Sequence, residues 1–284
     1  MRRPAVREFA WNVVSNTLAT SGASYVKWDA NRFVTQRGST YLAPGEQSDL
    51  LVDYNFALYD VMARMAEKFP GVTAMACSGG GGRADFGALK FFHLFWPSDN
   101  TDPRDRVKIQ RGFSHFFPSD TIAAHVTKMG GRPLKFSLDV AMSGALGLDL
   151  DARKLTADEK KTISSAITLY KNEIRDVVEQ GDLYRLESPY DHPRMALDYV
   201  SADRSRAVLF VYQLTNAPSA MMKVSGLDPQ KGYLIHEVNL PAGQKSVLGI
   251  DGRKFDGAIL LREGFVSPCH KECDSAVVEF SAVK

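Results

Sequence analysis

Cysteine is too scarce in this sequence to build a disulfide framework. Three residues, Cys77, Cys269 and Cys273, stand among 284, and a small, odd count points to a reducing compartment rather than an oxidising one. Charge of one sign is lacking too: 35 basic residues nearly cancel 33 acidic ones, leaving a formal net charge of +2. The charges are scattered, so no basic face is offered to a phosphate backbone and no nucleic-acid partner is expected. No apolar run is long enough to span a bilayer, and no membrane association is expected. Residues 1–14 carry Arg2, Arg3, Arg7 and Glu8 without an uninterrupted apolar stretch. That pattern does not read as a signal peptide, so the expected location is cytoplasmic. Internal repeats and low-complexity segments are missing as well.

What is present is ordinary globular material, 44% hydrophobic, with room for one large domain or two smaller ones. The first half alternates helix-like and strand-like segments, which predicts parallel β/α units. A helix over residues 5–18 leads into an apolar, aromatic strand at 24–29. After a Gly/Pro loop, Leu50, Tyr54, Leu58, Val61, Met62 and Met65 recur mostly at steps of three and four, an amphipathic helix closed by Pro70. A strand follows at 72–77. Further strands are expected at 91–96, 112–117 and 136–142, with a helix at 102–111. Thr156 and Glu159 have capping-box spacing and open a helix that Gly181 stops. Beyond about residue 185 come short strand-like runs at 196–201, 207–214, 233–238, 246–250, 258–262 and 276–283, separated by turn signals such as Asp228-Pro229 and Asp251-Gly252. The expected fold is therefore α/β: a partial (β/α)₈ TIM-type barrel of about five strands over 1–185, then a small antiparallel β-sandwich domain over 186–284. A complete barrel takes about 250 residues, so the barrel is expected to be incomplete on its N-terminal side.

Three patterns carry chemistry, each at or just past a predicted strand end, the face where barrel enzymes assemble their sites. They are Lys27-Trp28-Asp29-Ala30-Asn31-Arg32, Cys77-Ser78-Gly79-Gly80-Gly81-Gly82-Arg83 and Trp96-Pro97-Ser98-Asp99-Asn100-Thr101-Asp102. Taken alone, Asp29 reads as a turn or cap residue. Lys27, two residues earlier, shares its face of the strand, with Trp28 on the other. A cation there keeps a carboxylate ionised, as a nucleophile requires. Asp99 sits in a turn-like stretch, and Asp102 before Pro103 suits a helix start. The aromatic run at 91–96 offers Asp99 the partial burial that would raise its pKa for general-acid work. One ionised and one protonated carboxylate are the equipment of glycoside hydrolysis.

Competing patterns are weaker. Gly79, Gly81 and Ala84 satisfy G-x-G-x-x-A after a strand, with Asp99 downstream where a dinucleotide enzyme keeps its ribose acid. The other reading is a loop bare enough for a sugar to approach the backbone. Cys269, His270 and Cys273 are possible zinc ligands with the wrong spacing and no second pair. His115 and His125 stand singly, and no nucleophile elbow is present.

Together the three motifs resemble glycoside hydrolase family 36, the bacterial and fungal α-galactosidases. The resemblance runs from about Pro4 to Leu214 and continues through Gly144-Ala145-Leu146-Gly147-Leu148-Asp149-Leu150 and Gly181-Asp182-Leu183-Tyr184-Arg185-Leu186. It implies that Asp29 is the nucleophile and Asp99 the acid/base, with Lys27, Trp28, Asn31, Cys77, Gly79 and Trp96 binding the sugar. The implied substrate is a terminal α-galactoside of the melibiose or raffinose type, cleaved with retention and without metal or organic cofactor. The family's usual methionine and threonine are replaced by Ala30 and Pro97. The groups that its first barrel strands bring to the sugar have no match in this chain. The expectation is thus a truncated or split α-galactosidase that self-associates or takes a partner to complete its barrel; the alternative is an inactive carbohydrate-binding or assembly relic.

Overall fold

Pro4 opens the first helix without penalty, because the N–H it lacks has no partner in a first turn anyway. In the computed structural model, which describes residues 1–31 and 34–283, this helix α1 spans Pro4–Ser21 and ends on Gly22 at φ +63°. Two compact units follow one another along the chain, Met1–Asp99 and Asn100–Lys284.

The first unit holds α1, β1 (Tyr25–Asp29), α2 (Leu50–Lys68), β2 (Thr73–Cys77) and β3 (Leu94–Phe95). The strands are parallel in the order β1-β2-β3, with Asp29 opposite Cys77 and Ala76 opposite Phe95. Leu58, Val61, Met62 and Met65 form the buried stripe of α2, as the periodicity predicts, and Ala74, Met75 and Phe95 are buried on the strands. Arg64 joins the two helices, pairing with both Glu8 oxygens at 2.6 and 3.1 Å while its guanidinium lies 4.5 Å above the Trp11 ring.

The second unit begins with α3 (Pro103–Phe113), β4 (Ala123–Val126), α4 (Leu134–Met142) and β5 (Ala145–Leu148), with β4 and β5 paired in parallel. Helix α5 (Ala157–Leu169) has the expected capping box, Thr156 and Glu159 exchanging hydrogen bonds at 2.8 and 3.1 Å. A π-turn at Tyr170–Ile174 carries it into α6 (Arg175–Gln180). The remaining strands are β6 (Asp182–Glu187), β7 (Arg194–Val200), β8 (Arg206–Gln213), β9 (Met221–Met222), β10 (Gly232–Val238), β11 (Arg253–Asp256), β12 (Phe265–Val266) and β13 (Ser275–Val283), with α7 (Gly257–Arg262) after β11. Six of them form one antiparallel sheet in the order β11-β10-β13-β8-β7-β6, and β9 pairs with β12 in a separate ribbon.

Four expected strands fall elsewhere. Residues 112–117 are the end of α3 and its exit loop, where Phe113 and Phe117 stack at 4.5 Å. Residues 136–142 lie in α4, and every one of them is buried. An element apolar on all sides shows no period, so length and composition were poor arbiters between helix and strand. The strands take the next segments instead, at β4 and β5. Residues 258–262 belong to α7, and 246–250 are irregular. The antiparallel sheet starts at Asp182, and the second layer of the expected sandwich is reduced to the β9–β12 ribbon and α7.

Both faces of the large sheet are covered, so β7 and β8 read as nearly continuous apolar runs. One face packs Leu197, Tyr199, Phe210 and Val277 against Phe136, Ile163, Ile174 and Val178 from the helices. The other packs Ala196, Leu209, Val211 and Phe280 beneath Met222, Leu227, Leu260 and Phe265. Two carboxylates lie inside this unit. Asp139 on α4 is fully buried and fully served: Lys135 Nζ at 2.5 Å, Ser275 Oγ at 2.6 Å and the Asn239 amide all reach it. Asp198 on β7 is equally buried. The Ser225 N–H approaches it, but neither oxygen has a well-formed hydrogen bond among the described residues. Burial pushes its pKa up to about 8.

Candidate active site

Alternation along β1 puts Lys27 and Asp29 on one face and Trp28, half-buried, on the other. The C-terminal ends of three parallel strands then bring the motifs together within the first unit. From β1, the Lys27 ammonium lies 4.9 Å from the centroid of the Trp96 ring, a cation–π contact with a buried indole. Trp96 follows β3, and its Nε1–H donates to Asp99 Oδ1 at 2.9 Å. Also from β1, Asp29 stands opposite Cys77, at the end of β2, in the strand register. Burial is the largest cause raising the Cys77 pKa and the neighbouring Asp29 adds to it, against the Gly80 N–H, so this thiol stays neutral. Asp29 thus has Cys77 of the next strand opposite it, Asp99 is held by Trp96 of its own segment, and Lys27 reaches that indole from β1.

The glycine run between them works through its backbone. Gly79 N–H donates to Asn31 Oδ1 at 2.7 Å. Ser78 Oγ and Arg83 Nε both donate to the Ala30 carbonyl, at 2.6 and 3.0 Å, and so pin the residue that follows Asp29. Neither Ser78 nor Arg83 was singled out individually from the sequence, although both lie in the glycine motif. Arg32, the last residue of the first motif, lies outside the described residues. Gly81 N–H bonds the Pro97 carbonyl at 3.2 Å, and Gly80, at φ +91°, leaves no room for a side chain: a Cβ there would stand 2.8 Å from Ser98 Cα. We expect Gly80→Ala to cost about 1–3 kcal/mol in a urea melt of this chain. Gly79→Ala, with nothing within 4 Å of its Cβ, should cost only the left-handed conformation, about 1–2 kcal/mol. Equal losses would remove the close-approach explanation.

Two expectations need correction. Asp99 is exposed, as is Asp29. The aromatic run buries Phe92, Phe95 and Trp96 but turns outward at Pro97, so the partial burial anticipated for the acid is not provided by these residues. Trp28 faces away from the Lys27 and Asp29 side of its strand. It borders a groove of about 380 Å³ between α1 and the free edge of β1, with Phe9, Val13 and Val26; Lys27 and Asp29 reach the rim of the same groove.

The dinucleotide reading requires a helix opening on the glycine loop, and none does: the next helical element is a single 3₁₀ turn at Ala88–Lys90. Among the described residues no group of three His, Cys, Asp or Glu is placed to hold a metal, and burial pushes the Cys269 thiol up to about 12. In the second unit Asp102 caps α3 through the Arg104 N–H at 3.0 Å and pairs with Arg132 at 3.0 Å. Burial raises its pKa, but the Arg132 and Arg104 bonds outweigh that and leave it lowered. Asp102 is a structural anion. Gly130 makes this possible, since a Cβ there would meet Asp102 Oδ2 at 2.2 Å.

The same segments match known proteins. Residues 1–181 match the family model for melibiase, and residues 194–280 match that for the glycosyl hydrolase family 36 C-terminal domain. The α-galactosidase AgaA of Geobacillus stearothermophilus is 37% identical over 252 residues, covering 86% of this chain and 34% of its own length. A probable α-galactosidase C of Aspergillus flavus is 32% identical over 286 residues, 97% of this chain and 35% of the relative. The crystal structure of an AgaA variant in complex with raffinose superposes with a TM-score of 0.88 at 35% identity, over 99% of this chain and 38% of that one. This chain therefore spans about a third of the length of the curated relatives it matches. No helix among the described residues is long and apolar enough to cross a membrane. With one family model over its first 181 residues and the companion C-terminal model over most of the rest, the chain belongs to the melibiase family of glycoside hydrolase family 36.

Proposed function

We propose that this chain supplies both catalytic carboxylates of a retaining α-galactosidase that removes terminal α-linked galactose from oligosaccharides of the melibiose or raffinose type. The supporting observation is the meeting of the motifs at one end of one parallel sheet: Asp29 opposite Cys77, and Lys27 reaching through Trp96 to Asp99. In this reading Asp29 attacks the anomeric carbon and forms a β-galactosyl ester while Asp99 protonates the departing glycosidic oxygen. Asp99 then takes a proton from water, which displaces Asp29 and releases galactose with its original configuration. Lys27 shares the Asp29 face of its strand, and Asn31, Cys77, Gly79 and Trp96 shape the sugar's surroundings; Trp28 supports the strand from behind. The parallel strands represent part of a (β/α)₈ barrel over residues 1–185, with 186–284 as the C-terminal β domain.

The barrel reading also bears on partners. Strand β1 is an edge of its sheet, and Phe9 and Val13 on the adjacent helix are 70% and 50% exposed. An unpaired edge beside apolar surface favours association with another chain. The test is hydrolysis of an aryl α-galactoside by this chain alone and after mixing with the N-terminal part of a full-length relative. Turnover is expected only in the mixture. Robust turnover by the chain alone would overturn the need for a partner. If a mixture that binds galactose is unaffected in every measurable property by Asp29→Ala, the inactive-relic reading replaces the enzymatic one.

A further inference from the structure

Helix α3 ends beside a group of basic side chains that make no salt bridge among the described residues. Arg111 in its last turn lies 3.2 Å, Nη1 to Nε2, from His115 just beyond it. Arg185 on β6 reaches the same place from the antiparallel sheet, its Nε donating to Ser114 Oγ at 3.1 Å and its Nη2 to the Ser114 carbonyl. Among the described residues neither guanidinium takes part in a salt bridge. Of the acids nearby, Asp176 and Glu179 face Arg175 at 3.6 and 4.0 Å, while Asp120 acts on Glu179. The Nε of Arg111 is buried with no hydrogen-bond partner among the described residues.

The carboxyl end of a helix welcomes cations, and Arg185 ties the exit of α3 to the sheet; both are structural reasons for the cluster. They do not account for all of it. A helix end carries about half a negative charge, less than one of the two guanidinium groups. The neighbouring cations act against the charged forms of these groups. Burial first, then the neighbouring cations, lowers the pKa of both His115 and Arg185. Beside the cluster lies a cavity of about 370 Å³ bordered by Ser114, His115, Phe117, Glu179, Arg185 and Tyr199. Glu179 borders it too, and burial, with Asp120 and Asp176 against Arg175, raises that carboxyl toward its neutral form. A guanidinium has five N–H donors in a planar fork, and the two bonds to Ser114 leave donors free for a bidentate oxyanion.

We propose that this cavity binds a phosphate-class oxyanion, either free phosphate or the phosphoryl group of a compact sugar phosphate, through Arg185 and His115 with Arg111 behind them. The cavity belongs to the second unit, and phosphate binding there does not depend on the roles proposed for Asp29 and Asp99. The test is isothermal titration calorimetry of the full chain at pH 7 with inorganic phosphate, ionic strength being held constant with sodium chloride. Parallel arms use a hexose 6-phosphate and the uncharged hexose. Saturable one-to-one binding of at least one phosphate is expected, none of the hexose, and at least a tenfold loss of affinity in Arg111→Gln and in Arg185→Lys. The tighter of the two phosphates identifies the source. Absence of saturable heat with both, or affinity unchanged in Arg111→Gln, overturns the proposal. Should Arg185→Lys fail to fold, the Arg111→Gln result decides alone.

Discussion

Asp29→Ala, placed in an assembly competent for turnover, should lower hydrolysis of an unactivated α-galactoside by roughly 10⁴-fold or more, because in the proposed roles Asp29 forms the glycosyl ester. Asp99→Ala should lower it by about 10²–10⁴-fold, the usual contribution of proton transfer to a departing oxygen. Rates alone do not separate the two roles, but azide does. In Asp29→Ala a small anion occupies the space of the missing carboxylate, attacks the anomeric carbon directly and yields β-galactosyl azide. In Asp99→Ala the ester on Asp29 still forms from an aryl galactoside, whose leaving group needs little help. Azide then attacks that ester in place of water and yields α-galactosyl azide. Opposite anomers from the two variants, read by proton NMR, are the expected result. The same anomer from both, or rescue of neither, would sink the assignment of roles. Trp96→Phe provides an intermediate case, since it removes the hydrogen bond to Asp99 Oδ1 while leaving both carboxylates in place.

Asp198→Asn should stabilise the protein, increasingly so as pH rises. Asp198 is fully buried, with its pKa pushed up from an ordinary 3.8 to about 8. Below pH 4 the folded and unfolded chains both hold the proton, and the residue contributes no pH dependence. Between pH 4 and 8 the unfolded chain releases the proton while the folded one retains it, so stability falls with rising pH. Above about pH 8 both forms are ionised and the penalty levels off. Asparagine has the same shape, offers the same kind of acceptor to the Ser225 N–H, and has no proton to lose. The difference between variant and parent should therefore be small at pH 4 and reach the order of a few kcal/mol at pH 8. Urea melts at pH 4, 6 and 8 would show it. A difference independent of pH, or an asparagine variant less stable than its parent at pH 8, would remove the explanation.

Much of the candidate site was legible in the sequence because strand geometry and side-chain chemistry act locally there. Lys27 and Asp29 share a face by the two-residue period alone, and Gly79 and Gly80 take positive φ at the turn between motifs. Long-range facts were less accessible. That Asp29 lies opposite Cys77 depends on the β1–β2 register, and the exposure of Asp99 depends on how the chain leaves Trp96. The fold was readable where amphipathic periods were clean, as in α2 and α5, and at β7, β8, β10 and β13. It was misread at α4, whose uniform burial hides its period, and at α7, a two-turn helix among strands. Nothing in the local pattern around Asp198 marks it as a carboxyl without a charged partner.

The knot around Asp139 bears on the order in which the chain can finish folding as it is made. Its partners Asn239 and Ser275 lie 100 and 136 residues downstream. Until β13 has been made, the carboxylate has Lys135 but not Ser275, and the wall that closes over α4 is unbuilt. Contacts of such sequence separation form late. Synthesis of β13, with Ser275 at its start, is then the event that completes the set of donors around Asp139 and fixes the helical layer against the sheet.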